Sequence, residues 1–255
     1  MPGSQKAESF SEDAFLGGRL SILQPKKGHR SGIEAVLIAA ISALARAETV
    51  ADIGSGVGVA GLCALSRVAD TKALLLEADP ALADLARKNA ERNGMTERVA
   101  VRAVDVAARG AAEQAGLVGA ADHALANPPF YDPAAHRISK AKAQAHAAPA
   151  DLLDGWLRFA AAILRSGGSL TLVHRADALR LVLDAVDRRF GGLAVLPVHP
   201  RQHAPATRVI VQGRKGSRAP LEILPGLILH EEAGHGFRPD VEAALRSGAA
   251  LRMAE

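Results

Sequence analysis

The chain is 255 residues long, 49% hydrophobic and 23% charged, with a formal net charge of +4 and a mean hydropathy of +0.09. This excludes low-complexity disorder and provides for a large core, while the longest apolar run, Ala35–Ile41, is far short of the roughly 20 residues that span a bilayer. With no secretory core at the amino terminus and a lone Cys63 that permits no internal disulfide, the composition points to a cytoplasmic protein without membrane association.

In chain order, a helical pattern over Glu34–Arg46 precedes the first apolar strand, Thr49–Ile53. A second helix is predicted at Val57–Arg67 and a second strand at Ala73–Glu77. The clearest helix runs from Pro80 to Asn93: Asp79 can cap it, Pro80 sits in the first turn, and Gly94 supplies the stop. Leu82, Leu85, Ala86 and Ala90 form its apolar stripe. Strands follow at Val99–Val104 and Asp122–Ala126. A helix then runs from Asp151 to about Arg165, with Leu152, Trp156, Phe159 and Ile163 on one face, and ends at Gly167-Gly168. After a strand at Ser169–His174 and a helix at Asp177–Arg189, Leu193–Val198 and Thr207–Gln212 are joined without a helix, which predicts an antiparallel pair. Strand–helix alternation implies an α/β fold with a mostly parallel sheet and helices on both faces. The segments before Thr49 and after Gly213 read as additions to one domain.

In such a sheet, ligands bind beyond the carboxyl ends of the strands, where the strand order reverses. Four strand ends there carry candidate chemistry. The first is Asp52-Ile53-Gly54-Ser55-Gly56-Val57-Gly58, whose alternate glycines let the backbone approach a ligand at a helix start. Gly56-Val57-Gly58-Val59-Ala60-Gly61 also fits the dinucleotide fingerprint, so a nicotinamide oxidoreductase remains an alternative. Asp52 favours S-adenosylmethionine, whose ammonium a carboxylate can accept, whereas a pyrophosphate would be repelled. Glu77, closing the second strand, suits two ribose hydroxyls. At the third, Asp105 offers a carboxylate to an adenine amino group, and the Val106 N–H can serve the ring.

The fourth strand delivers Asn127-Pro128-Pro129-Phe130 and Tyr131. A planar amine or carboxamide is a poor nucleophile because its lone pair is delocalised. The Asn127 side-chain oxygen and the Pro128 carbonyl can accept its two N–H groups and favour a pyramidal nitrogen. Pro129 stiffens the turn, and Phe130 offers a flat face to an unstacked base. No strong base is needed, since the amine becomes acidic only after methylation.

Acid-free basic stretches suit a polyanion-binding face. Arg137, Lys140 and Lys142 directly follow the fourth motif and are the candidate substrate contacts, together with Tyr131. Other such stretches are Lys26–Arg30 and the span between Asp187 and Glu222. His199 and His203 are four apart, but Pro200 and Pro205 argue against a helix there, and His230 and His235 straddle what reads as a turn, so no metal site is expected. Cys63 reads as a small core residue.

Asp52, Gly54, Gly56, Gly58, Glu77, Asp105 and the Asn-Pro-Pro-Phe tetrapeptide together resemble a class I S-adenosylmethionine-dependent methyltransferase of the amino-methylating kind. Gln24–Leu37 and the tail Arg208–Gly216 resemble bacterial tRNA(Val) adenine-37 N6-methyltransferases in particular. The resemblance implies a Rossmann-like, seven-stranded, mostly parallel sheet with an antiparallel edge strand. It implies residues 1–48 as a cofactor-capping segment whose Gly32 lies toward the methionine end, 49–213 as the core, and 214–255 as an extension. It also implies S-adenosylmethionine as cofactor and tRNA as partner, with the oligomeric state open. Glu34 departs from the family's aspartate, and Phe130 from its commoner tyrosine. The same tetrapeptide serves ribosomal guanine-N2 and protein glutamine-N5 methyltransferases, which stay as alternatives beside a non-enzymatic RNA-binding module.

Overall fold

The computed structural model describes residues 10–28, 30–129 and 149–253. It opens with an antiparallel hairpin, β1 (Phe10–Phe15) and β2 (Leu20–Pro25), which stands apart from the main sheet. Then follow α1 (Ile33–Ile41), β3 (Thr49–Ile53), α2 (Val59–Arg67), β4 (Lys72–Glu77), α3 (Pro80–Arg92), β5 (Val99–Ala103), α4 (Ala111–Gln114) and β6 (Ala121–Ala126). The second half holds α5 (Pro149–Ile163), β7 (Leu164–Arg175), α6 (Leu179–Val186), β8 (Phe190–His199), β9 (Arg208–Lys215), two-residue strands β10 (Glu222–Ile223) and β11 (Leu227–Ile228), and α7 (Pro239–Ser247). No helix among the described residues is long and apolar enough to cross a membrane.

The sheet order is β5-β4-β3-β6-β7-β9-β8, with β10 and β11 both paired to β8. Every neighbouring pair is parallel except β7–β9 and β8–β9. The expected antiparallel pair is therefore present. Its antiparallel member, β9, is inserted between β7 and β8, because a short loop returns the chain from β8 into the gap beside β7. Strand order reverses between β3 and β6, which opens the crevice at their carboxyl ends.

One apolar cluster covers one sheet face and joins Val50, Leu125, Val173 and Ile210 to α1, α2 and α3. It also takes in Leu16, Leu20 and Ile22 of the hairpin region and Val241, Ala244 and Leu251 near the chain's end. The other face packs Ala51, Ile53, Ala124, Leu170 and Leu172 against α5 and α6.

Capping of α3 follows the sequence: Asp79 accepts the Ala81 N–H at 2.8 Å, Pro80 opens the helix, and Gly94 follows in the left-handed region. Several element limits differ from expectation, α6 (Leu179–Val186) and β8 (Phe190–His199) among them, and two of the differences have a plain physical cause. Helix α1 stops at Ile41 rather than Arg46, because Arg67 donates to the carbonyls of Ala39 (3.0 Å) and Ser42 (2.8 Å) and holds the helix end. Helix α5 stops at Ile163, and the chain enters β7 at once. A register shift between Ala121 and His123 absorbs the extra residues around Gly167.

Candidate active site

Strand register gathers the four predicted ends. Ile53 of β3 pairs with Leu76 of β4 on one side and Ala126 of β6 on the other, and Glu77 pairs with Ala103. Gly54, Glu77, Val104-Asp105 and Asn127 thus leave the sheet as neighbours. Asn127 is half-buried, Pro128 buried and Pro129 exposed, and Asn127 lies two residues beyond Leu125, the register partner of Asp52. Phe130, Tyr131, Arg137, Lys140 and Lys142 lie outside the described residues.

The loop after β3 is built by its glycines, each for its own reason. Gly54 has φ +65°, and a Cβ there would stand 2.0 Å from Cη2 of Trp156 on α5. Gly58 has φ +91° with Leu75 Cδ1 2.8 Å from the same position, and Gly61 is pressed against Leu75 and Asp52. Gly56, at φ +55°, differs: a Cβ would meet nothing within 4 Å, so this is the side of the loop open to a ligand. The Ser55 N–H donates to the Leu76 carbonyl (2.9 Å) and the Gly58 N–H to the Ser55 carbonyl (2.8 Å).

Glu77 ties two loops together. One carboxylate oxygen accepts from the Gly56 N–H at 2.8 Å, the other from the Asp79 N–H at 2.9 Å. An ionised carboxylate has further lone pairs on both oxygens, so these bonds orient it without exhausting it. Asp105 is exposed and accepts the Ala107 N–H at 3.0 Å, an Asx turn that shapes the third loop beside buried Val106. Helix α5 clamps that loop. Arg158 donates to the Ala107 carbonyl at 3.2 Å, and at Gly155 a Cβ would come within 2.9 Å of the same oxygen.

Asp52 is 4% exposed and accepts the Gly61 N–H at 2.9 Å. No described residue hydrogen-bonds its other oxygen. Burial, with the nearby Glu77 charge adding to it against the Gly61 bond, pushes its carboxyl up to about 7. In the ligand-free protein the fold then holds a proton that the unfolded chain releases near pH 4, roughly the free-aspartate value. Stability from this group is therefore full in acid and falls as pH rises from about 4 to about 7. A series of melting temperatures between pH 5 and 8 should show that slope in the ligand-free protein and lose it in Asp52→Asn.

The amino-terminal segment is fastened by buried Gln24. Its Oε1 accepts the Ser31 N–H at 2.8 Å and its Nε2 donates to Asp13 at 2.9 Å, while Arg30 pairs with Asp13 at 2.5 Å. Gly32 then caps α1. Glu34 reaches the Arg208 guanidinium at the start of β9 (3.2 Å). Sequence reasoning overlooked His174: Leu172 pairs with Ala126, so position 174 flanks Pro128, and burial lowers its imidazole below the usual range. It also took Trp156 only as core. The residue is core, but its ring also abuts Gly54, a contact that no spacing reveals.

The basic span between Asp187 and Glu222 does not form one face. Because β8 and β9 are antiparallel, His199–Arg208 lies at the carboxyl end near the site, while Arg188, Arg189, Arg214 and Lys215 lie at the opposite end. Several of its cations are structural. Arg201 donates to the carbonyls of Glu231 and Gly234 (both 2.7 Å), Arg189 pairs with Asp154, and Lys215 donates to the Leu164 carbonyl.

The loop's chemistry fits S-adenosylmethionine. The Ser55 hydroxyl is buried without a hydrogen-bond partner among the described residues, and the Gly56 side of the loop is open. One Asp52 oxygen is unengaged by any described residue, and Glu77 is oriented by the Gly56 and Asp79 N–H groups with lone pairs to spare. These are polar groups awaiting a ligand that carries an ammonium and a ribose.

A family model described as "Methyltransferase small domain" matches residues 33–196. A tRNA1(Val) (adenine(37)-N6)-methyltransferase of Porphyromonas gingivalis is 25% identical over 88% of this chain and 90% of its own. One from Shewanella sediminis is 28% identical over 57% of this chain and 59% of its own. Among solved structures, a predicted O-methyltransferase of Agrobacterium tumefaciens superposes with a TM-score of 0.73 at 33% identity, covering 86% of this chain and 98% of its own. The alternation of strands, the strand-order reversal and the glycine loop at it thus have one common origin: the chain belongs to the methyltransferase small domain family of class I methyltransferases, with S-adenosylmethionine as its cofactor.

Proposed function

We propose that the protein methylates an exocyclic amine of a nucleic-acid base, with adenine N6 in tRNA as the acceptor. The observation that carries this reading is that Asn127-Pro128-Pro129 leaves β6 beside the glycine loop, Asn127 and Gly54 each following the paired Ala126 and Ile53. The names of the relatives from Porphyromonas and Shewanella support the same acceptor.

Bound at the loop, S-adenosylmethionine supplies an electrophilic methyl group on a sulfonium. Glu77 accepts the ribose hydroxyls, Asp105 and the Val106 N–H address the adenine, and Asp52 faces the ammonium. Gly54, Gly56 and Gly58 shape the close approach, with Gly32 toward the methionine end. Asn127 and the Pro128 carbonyl hold the acceptor NH₂ so that its lone pair points in line, and alignment supplies most of the rate. Pro129 stiffens the turn and Phe130 stacks the base, while Tyr131, Arg137, Lys140 and Lys142 contact the RNA. Residues 1–255 work as one domain: 1–48 cap the cofactor, 49–213 form the core, and 214–255 extend it.

Ser55→Ala tests the loop. Removing an unsatisfied buried hydroxyl leaves the melting temperature of the ligand-free protein equal or higher, because an orphan of this kind costs about 1–3 kcal/mol. Calorimetric titration with S-adenosylhomocysteine should show weaker binding in the same variant.

A second reading, an oxygen acceptor, draws on the Agrobacterium structure and on His174, an imidazole kept neutral by burial that could take a hydroxyl proton. Label transfer from tritiated S-adenosylmethionine into total RNA and total protein, with nuclease and protease controls and nucleoside mass spectrometry, separates the readings. N6-methyladenosine in tRNA is the expected product. Label in guanine N2, in a ribose oxygen or in protein glutamine would replace the acceptor, and label in none of them would sink the proposal.

A further inference from the structure

Asn89 sits within the buried stripe of α3 with no exposed surface. Its Oδ1 accepts the Leu23 N–H at 2.8 Å, and its Nδ2 donates to the Leu23 carbonyl at 3.1 Å and to the Val57 carbonyl at 3.0 Å. One turn later Asn93 repeats the first half: its Oδ1 accepts the Ser21 N–H at 2.9 Å and its Nδ2 donates to the Ser21 carbonyl at 2.9 Å. The two side chains give β2 the bonds that a neighbouring strand would give. The spacing allows it, since four residues of helix rise about 6 Å and two residues of strand advance about 6.6 Å. A two-stranded hairpin is marginal alone, so this seat helps to hold β1–β2 in place.

Only one of the two asparagines also reaches the glycine loop. Val57 lies between Gly56 and Gly58, and its carbonyl is the third partner of Asn89. From β2 the connection continues through Gln24 to the Ser31 N–H and the start of α1 at Gly32. We infer that Asn89 is a positioning residue that couples the amino-terminal hairpin to the cofactor loop, so that an occupied loop tightens the hairpin and a seated hairpin tightens the cofactor. The inference rests on the reading that the glycine loop seats the cofactor. Binding linkage is reciprocal, so either half of the coupling reports the other.

Hydrogen exchange of the full chain with and without S-adenosylhomocysteine tests it, alongside calorimetric affinities. In the wild type, the ligand should slow exchange at the Ser21 and Leu23 amides about tenfold. Asn93→Ala loosens the hairpin but keeps that ligand-linked ratio and an affinity within about twofold of wild type, because its side chain bonds only Ser21 and the backbone carbonyl of Asn89 (2.7 Å), neither the loop nor the Asn89 side chain. Asn89→Ala, or the gentler Asn89→Ser if alanine does not fold, should lose the ratio and bind about tenfold more weakly. Equal behaviour of the position-89 and position-93 variants would overturn the coupling, as would hairpin amides in the wild type that ignore the ligand. A ligand that binds yet leaves the 54–58 amides unprotected would instead overturn the loop as the cofactor's seat, and the inference with it.

Discussion

Alanine in place of Asn127 is expected to lower methyl transfer by about 10²–10³-fold, the usual loss for a preorganised polar contact made at the reacting atom. The affinity for S-adenosylhomocysteine should stay within about twofold, because the contact is to the acceptor amine and not to the cofactor. The separation is sharp for structural reasons. Asn127 follows the last residue of β6, whereas the cofactor loop is held by Leu76, Glu77 and the packing of Gly58 and Gly61, none of which depends on position 127. Single-turnover rates and calorimetric titration on the same preparations measure the two quantities. An equal loss of both would show that Asn127 serves the cofactor and would remove the acceptor assignment. Asn127→Asp tests the same point from another side: a carboxylate keeps an acceptor but adds a charge, so this variant should retain more activity than Asn127→Ala.

The second large effect is on stability. At Gly54 an alanine methyl would enter a left-handed backbone and meet the Trp156 ring at 2.0 Å. The backbone costs roughly 1–2 kcal/mol and overpacking about 1–3 kcal/mol more, so Gly54→Ala should lose about 2–5 kcal/mol. For a chain of this size that is on the order of 10 °C in melting temperature. Trp156→Phe removes the ring atoms that collide, so Gly54→Ala should cost less in that background, a coupling that a double-mutant cycle reads directly. If Gly54→Ala costs the same with tryptophan or phenylalanine at 156, the collision is not its cause. Gly56→Ala provides the contrast. Its Cβ meets nothing within 4 Å, so only the backbone term of roughly 1–2 kcal/mol applies to stability. The methyl would stand on the open side of the loop and weaken S-adenosylhomocysteine binding. Two glycines two residues apart thus fail for different reasons, one against α5 and one against the ligand.

Much of this was legible beforehand. Asp79-Pro80 and Gly94 bounded α3 correctly because capping is local chemistry, decided within a few residues. The β3 strand and its glycine loop were equally plain, since only a strand-to-helix turn under close approach calls for such spacing. Less legible were the elements whose limits depend on distant partners. Helix α1 ends early because Arg67, on another helix, holds its last carbonyls, and β7 begins early because β6 offers it a partner at Ala121. The hairpin β1–β2 escaped notice because its seat is a pair of asparagines on α3, residues that in sequence look like the polar side of a helix.

By itself, the sequence determined which chemical groups stand at each strand end: three alternating glycines, the acids Asp52, Glu77 and Asp105, and Asn127 with its prolines. Those follow from local rules of turn, cap and periodicity that act over a few bonds. Only the tertiary structure decided how they are used. It assigned Gly54 to Trp156 and left Gly56 to the ligand, bound one oxygen of Asp52 to Gly61, matched Glu34 to Arg208 and joined Val57 to the hairpin through Asn89. Such pairings are set by strand register and helix packing between residues far apart in the chain, and short-range pattern contains no information about which of them will meet.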